Sequence, residues 1–152
     1  MLSPHVHYFF ALPAVVALMA CAQIGIHKEV ISTKNAPAAI GPYSQAIRVG
    51  NMLFLAGQIP IDPKTNQLMA TGTIEEQTKL VIENLRAILE ANGMTLANVV
   101  STQVFMKDLE EFPRMNAVYG TYFNEKPPAR VTVEVARLPR DVKIEIAAIA
   151  AK

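Results

Sequence analysis

Cysteine is nearly absent from this chain of 152 residues: its one thiol, Cys21, sits in the amino-terminal segment. The body therefore has no disulfide, no thiolate nucleophile and no cysteine-based zinc site. Histidine is as scarce, with three in all: His5 and His7 at the extreme start and His27 near the head of the body. This excludes His-based triads and multi-histidine metal sites, leaving carboxylate, tyrosine, lysine or positioned water as chemical agents. The glycines never assemble into a phosphate loop, because Gly57-Gln58-Ile59-Pro60 has the spacing of neither a dinucleotide fingerprint nor a P-loop. Nothing calls for a nucleotide cofactor. With a net charge of +1 and no basic run, the chain lacks the electrostatic footprint needed to bind a phosphate backbone, so nucleic acid is not an expected partner. The length suits a single domain that can bury a sizeable core.

One long uncharged run is present. From Tyr8 to Ala22 the chain is apolar and ends in small residues, which reads as the hydrophobic part of a secretory signal. Residues 1–22 are thus expected to be a leader, and the protein to be exported to the periplasm or beyond. Leu18-Met19-Ala20-Cys21 is also similar to a lipoprotein cleavage box, which would place lipid on Cys21 and anchor the protein to a membrane. The run is not preceded by Lys or Arg, so a start at Met19 and a cytoplasmic protein form the alternative.

The body opens with a short strand at Val30-Ile31-Ser32 and a rigid loop, Asn35 to Tyr43, stiffened by Pro37 and Pro42. Ser44 to Val49 and Met52 to Ala56 read as a hairpin joined by Gly50-Asn51, with Gly57 ending the second strand and a loop from Ile61 to Asn66. Thr73 and Glu76 form a capping box opening a helix that runs to about Asn92 and is closed by Gly93. Leu80, Val81, Leu85, Ile88 and Leu89 make its apolar stripe. A strand from Val99 to Lys107 follows, and then a second helix started by Asp108 and Glu111 but delayed by Pro113, with Phe112, Met115, Tyr119, Tyr122 and Phe123 at helical spacing. This order of elements predicts a two-layer α+β domain with both helices on one sheet face. The other face, expected to carry Thr102, Gln103, Thr132 and Glu134, would be covered by further copies of the chain.

The last quarter carries the chemistry. Two alternating runs set Val131, Val133 and Val135, then Val142, Ile144 and Ile146, on faces expected to belong to the core. The opposite faces carry Arg130, Thr132 and Glu134, then Lys143 and Glu145. A guanidinium and a carboxylate in such positions can bind an anionic substrate and handle a proton or water beside it, although solvated strand faces are the commoner use of such charges.

Asn35-Ala-Pro-Ala-Ala-Ile-Gly-Pro-Tyr43, Ala56-Gly-Gln-Ile-Pro60, Asn84-Leu85, Met115-Asn116, Tyr119, Tyr122-Phe123, Pro128-Ala129-Arg130, Val133 to Pro139 and Lys143-Ile-Glu-Ile146 stand in the order found in the RidA (YjgF) family. From Lys28 onward the chain closely resembles these reactive-intermediate deaminases. The resemblance implies a deaminase domain over residues 28–152 with a chorismate-mutase-like fold: one mixed six-stranded sheet, two helices on one face and assembly as a homotrimer with sites between subunits. It implies cofactor-free hydrolysis of small imino or enamino acids, 2-iminobutanoate and 2-iminopropanoate, to 2-oxo acids and ammonia. It puts the substrate-carboxylate arginine at Arg130 and the water-handling glutamate at Glu145. Tyr43 and Asn116 would line the cleft, Gly57 would let the imine nitrogen approach the backbone, and a backbone N–H of Thr132 would serve the carboxylate. Thr132 replaces a frequent cysteine, Ala56 a frequent serine and Ala147 a frequent glutamate; these changes are expected to slow turnover severalfold at most, because a neutral hydrogen bond contributes about 1 kcal/mol. A non-enzymatic sensor of 2-oxo acids, or a partner-binding trimer, is the alternative. Ribonuclease action, attributed to relatives, ranks lower because the body has neither a basic stripe nor a histidine pair.

Overall fold

The computed structural model describes Gly25 and residues 27–152. The expected leader, the cleavage box and Cys21 lie outside the described residues. Among the described residues, no helix is long and apolar enough to cross a membrane.

Eight strands and two α-helices follow in the order β1 (Lys28–Ile31), β2 (Ala46–Val49), β3 (Met52–Gln58), β4 (Ile61–Asp62), β5 (Gln67–Leu68), α1 (Ile74–Ala91), β6 (Val99–Met106), α2 (Phe112–Tyr122), β7 (Ala129–Glu134) and β8 (Ile144–Ala151). Six of them form one sheet in the order β1-β2-β3-β8-β6-β7. It is mixed, because β7 runs parallel to β6 while the other pairs are antiparallel. The fold is the two-layer α+β arrangement that the element order predicts.

Local chemistry explains the helices. Thr73 Oγ1 accepts the Glu76 N–H at 3.3 Å while Glu76 Oε2 accepts the Thr73 N–H at 2.8 Å, so α1 starts with a reciprocal cap. Gly93, at φ 63°, follows its end. Pro113 tolerates only the first turn of a helix, so Asp108 caps a short 3-10 turn and α2 begins at Phe112. From α1, Ile74, Val81, Ile82, Leu85, Ile88 and Leu89 pack on Leu53, Val104, Met106, Ile144 and Ile146 of the sheet. Leu80 turns aside from this stripe and is half-buried. Met115, Tyr119 and Phe123 complete the layer from α2. Two bridges hold α2 on α1. The Arg114 fork donates to Glu75 at 2.7 and 2.8 Å, and the Tyr122 hydroxyl donates to Glu83 at 2.7 Å.

Four expectations are corrected. The Ile61–Asn66 segment is no plain loop, because Ile61 and Asp62 pair with Leu68 and Gln67 in a two-stranded hairpin. Gly57 does not end β3, which runs on to Gln58 through a bulge: Leu55 faces Ala148, yet Gln58, three residues on, faces Ile146. The apolar side of β7 is not core, since Val131 and Val133 are 50% and 37% exposed. Pairing with β6 decides this, placing Arg130 beside Thr102 and Thr132 beside Val104, both of which face the helices. For the same reason Thr102, Thr132 and Glu134, the last paired with buried Met106, do not lie on the open face. That face carries Gln103, Phe105, Val131, Val133, Glu145 and Phe54, and is more apolar than expected.

Candidate functional site

The structure sorts the site residues into two groups on opposite sheet faces. Arg130 pairs with Thr102 on the helix side, while Glu145 pairs with Phe105 on the open side. Within one chain the fork and the carboxylate therefore do not share a space.

The first group surrounds Arg130. As an edge residue on β7 it reaches toward α2, where its Nη2 donates to Asn116 Oδ1 at 2.8 Å. Its guanidinium carbon lies 4.5 Å from the ring centre of Tyr119 and 5.5 Å from that of Phe112. Asn116 thus holds Arg130 and does not touch Glu145 of its own chain. Two residues along the same strand face, Thr132 Oγ1 is buried with no hydrogen-bond partner among the described residues. An orphaned buried hydroxyl costs about 1 to 3 kcal/mol, so its presence beside a cation marks a place prepared for an acceptor.

The second group surrounds Glu145. The β3 bulge turns Gly57 toward β8, and a side chain there would overlap the Glu145 carboxylate, with a Cβ only 2.9 Å from Cδ. Half-buried in this way, the carboxyl has its pKa raised by desolvation, the direction a general base at neutral pH needs. The loop bearing Tyr43 comes to the same end of the sheet, because the Gln45 carbonyl accepts the Ala56 N–H at 2.9 Å. Tyr43 itself is 49% exposed, its hydroxyl accepting the Ile40 N–H at 3.3 Å. Buried Gln45 fixes that loop, donating to the carbonyls of Thr33, Ala36 and Pro37 and accepting the Thr33 N–H.

Among the described residues, two grooves lie apart from Arg130 and Glu145. A 640 Å³ groove lies between α1 and α2, lined by Glu75, Lys79, Arg114 and Tyr122. A 470 Å³ hollow beside the Tyr43 loop is lined by Val30, Thr33, Lys34 and Gln45. No group of three or more His, Cys, Asp or Glu side chains among the described residues is placed to hold a metal ion.

The family model described as Endoribonuclease L-PSP matches residues 33–152. The chain belongs to the RutC/YjgF/RidA family. A family member from Escherichia coli, a 2-iminobutanoate/2-iminopropanoate deaminase, is 49% identical over 127 residues, which is 82% of this chain and 98% of that protein. A RutC family protein of Pyrococcus horikoshii is 60% identical over 125 residues, again 82% of this chain and 98% of its own length. The crystal structure of the E. coli yjgF gene product matches with a TM-score of 0.78 and 48% identity, covering 82% of this chain and 98% of that one. E. coli TdcF with bound serine gives a TM-score of 0.78 at 41% identity and the same coverage, 82% and 98%.

Sequence reasoning about this RidA-family chain missed Gln45 as the clamp of the Tyr43 loop and Tyr119 with Thr102 as the floor beneath Arg130. Helical spacing marks Tyr119 as core, and it is core, at 4% exposure. Its second use depends on the β6–β7 register, which no local pattern reveals. Gly57→Ala should push the Glu145 carboxyl out of its slot with little change in secondary structure; a crystal structure of the variant alongside circular dichroism checks this, and a Glu145 side chain left in place would remove Gly57 from the site.

Proposed function

We propose that this protein hydrolyses small 2-imino acids, 2-iminobutanoate and 2-iminopropanoate or their enamine tautomers, to the 2-oxo acids and ammonium, at sites completed between the subunits of a homotrimer. One observation carries the reading. The anion-binding half, Arg130 with Asn116 and Thr132, and the proton-handling half, Glu145 with Gly57, are each built and each left unfinished on opposite faces of one sheet. A neighbouring copy joins them if its β7 edge, carrying Arg130, lies across the open face beside Glu145. Exposed Phe54, Val131 and Val133 give that open face apolar area worth burying, and β7 has one unpaired edge. The 49% identity to a named imine deaminase and the bound serine of TdcF support a small ligand of amino-acid type.

In the joined site the Arg130 fork takes the substrate carboxylate in two parallel hydrogen bonds. The Thr132 hydroxyl, or the N–H of its edge strand, adds a further donor. Glu145 orients a water molecule over C2 of the protonated imine and accepts its proton as the C–O bond forms and the C=N π electrons move to nitrogen. The resulting carbinolamine takes that proton back on its amine. The C–N bond then breaks as the hydroxyl closes to C=O, and the hydroxyl proton leaves with ammonia as ammonium. Water is the sole co-reactant.

The direct test generates 2-iminobutanoate in situ with a threonine dehydratase and follows 2-oxobutanoate formation with and without this protein. Acceleration by a species sedimenting as a trimer is expected. Binding of 2-oxobutanoate without any acceleration would replace the enzyme with a sensor.

A further inference from the structure

We infer that Tyr119 is the positioning residue that aims Arg130, acting as an aromatic floor whose own tilt is locked by a hydrogen bond to Thr102. The inference rests on the reading of Arg130 as the carboxylate fork and adds the group that sets its direction. An arginine has four rotatable side-chain bonds, and ordering it on binding costs conformational entropy unless something holds it before the ligand arrives.

Here α2 holds it with Asn116 and Tyr119, one turn apart, and with the more distant Phe112 ring at 5.5 Å. Asn116 takes one end of the fork at 2.8 Å and Tyr119 lies 4.5 Å beneath its centre. A hydrogen bond to one nitrogen leaves the guanidinium able to swing about it; a ring underneath fixes the plane in which the remaining N–H groups point. The ring cannot slide, because the Tyr119 and Thr102 hydroxyls are 2.8 Å apart in a buried hydrogen bond, and Phe123 packs on it with centroids 4.5 Å apart. Thr102 is the residue paired with Arg130 across the parallel β6–β7 ladder, so the strand that carries the arginine is tied to the strand that anchors its floor. The nearby Arg130 charge and the Thr102 hydrogen bond only partly offset the burial that raises the Tyr119 pKa, so the ring stays neutral, with its π face toward the cation.

The experiment has two arms. In the first, the resonances of the Arg130 side chain are followed by NMR in the full-length protein. They are expected upfield in wild type from the ring beneath them, still upfield in Tyr119→Phe, and shifted most of the way back in Tyr119→Leu, where only the Phe112 ring at 5.5 Å remains. This arm needs no activity, so it reads the floor even if the imine reading fails.

In the second arm, 2-oxobutanoate binding and imine hydrolysis are measured on the same proteins. Tyr119→Leu should raise Kd and KM about tenfold or more with a far smaller change in kcat, and Tyr119→Phe, which keeps the ring but loses the Thr102 hydrogen bond that locks it, should raise them by a smaller, severalfold factor. Should Tyr119→Leu fold poorly, trifluorophenylalanine at position 119 is compared with Tyr119→Phe: the ring size is kept and its π density drained, and KM should rise severalfold. Wild-type binding by the leucine and fluorinated proteins, or a fall in kcat with KM unchanged, would overturn the assignment. A wild-type protein that neither binds 2-oxobutanoate nor hydrolyses imines, yet shows the shifted Arg130 resonances, would refute the proposed function and leave the floor standing.

Discussion

With the proposed imine hydrolysis at a subunit interface, Arg130→Ala is expected to lower kcat/KM for 2-iminobutanoate by about three orders of magnitude while the protein keeps its fold and its state of assembly. The size follows from the bond lost. Truncating one side of a desolvated, hydrogen-bonded charge pair costs about 2 to 5 kcal/mol, and each 1.36 kcal/mol is a factor of ten in rate. The fold should survive because the guanidinium lies over the Tyr119 ring and accounts for no part of the buried core. Arg130→Lys should recover little, since an ammonium is a point charge and cannot make the parallel pair of bonds that fixes the carboxylate plane.

The proposed subunit arrangement gives this prediction a second edge. Arg130 and Glu145 face opposite sides of their own sheet, so each site would take the fork from one copy and the carboxylate from another. Inactive Arg130→Ala and inactive Glu145→Gln, unfolded and refolded together at equal concentration, should regain about a quarter of wild-type activity, because a random ring pairs an intact fork with an intact carboxylate in that fraction of interfaces. Mixed trimers with no activity would refute the shared site.

Glu145→Gln should reduce kcat by about two to four orders of magnitude, the usual range for losing a positioned general base. It also makes an opposite prediction for stability. Desolvation against Gly57 raises the Glu145 pKa on folding, so between its unfolded and folded values the native state holds the proton that the unfolded chain has released. Stability contributed by this group is therefore fully present below the unfolded pKa and is lost as pH rises through the folded one. Above the unfolded pKa the wild type bears a cost from the desolvated carboxyl that grows with pH up to the folded pKa, and the uncharged glutamine does not. The variant should thus melt higher than wild type at pH 7, with the gap closing in acid below the ordinary carboxylate range. The wild-type rate should fall on the acid side as the carboxyl protonates, and that limb should be absent from any residual activity of the variant. A variant that melts lower at pH 7 would mean that the carboxylate is held by favourable contacts in the assembled protein.

Much of this was legible from residues alone. The reciprocal cap of Thr73 and Glu76, the turn at Gly50-Asn51, the helical stripe through Val81, Leu85, Ile88 and Leu89, and the delay of the second helix by Pro113 all follow from neighbours within a few positions. Arg130, Glu145, Gly57 and Tyr43 could be named as candidates through the resemblance, because the motifs that hold them are contiguous in the chain. The β3 bulge was not legible, since alternation through Leu53 and Leu55 predicts that the strand simply stops at Gly57, whereas an inserted residue carries it on to Gln58. Nor was the clamp of Gln45, whose carbonyl partners lie eight to twelve residues earlier in a loop with no period.

By itself, the amino-acid sequence determined both helices and most of the sheet strands, where the helices are capped, that no thiol and no histidine cluster is available to the body, and which arginine and glutamate are set in an alternating context. These are consequences of local backbone preference and side-chain inventory. Only the tertiary structure decided which face of each strand meets the helices. An alternating strand has two distinguishable faces but carries no label for the inner one, and β7 shows that the more apolar face can be the outer one. Register with β6 put Arg130 over Tyr119, and register with β6 and β3 put Glu145 against Gly57 on the other side. The two halves of the chemistry are thereby separated within one chain, because a sheet one residue thick cannot bring side chains from its opposite faces together.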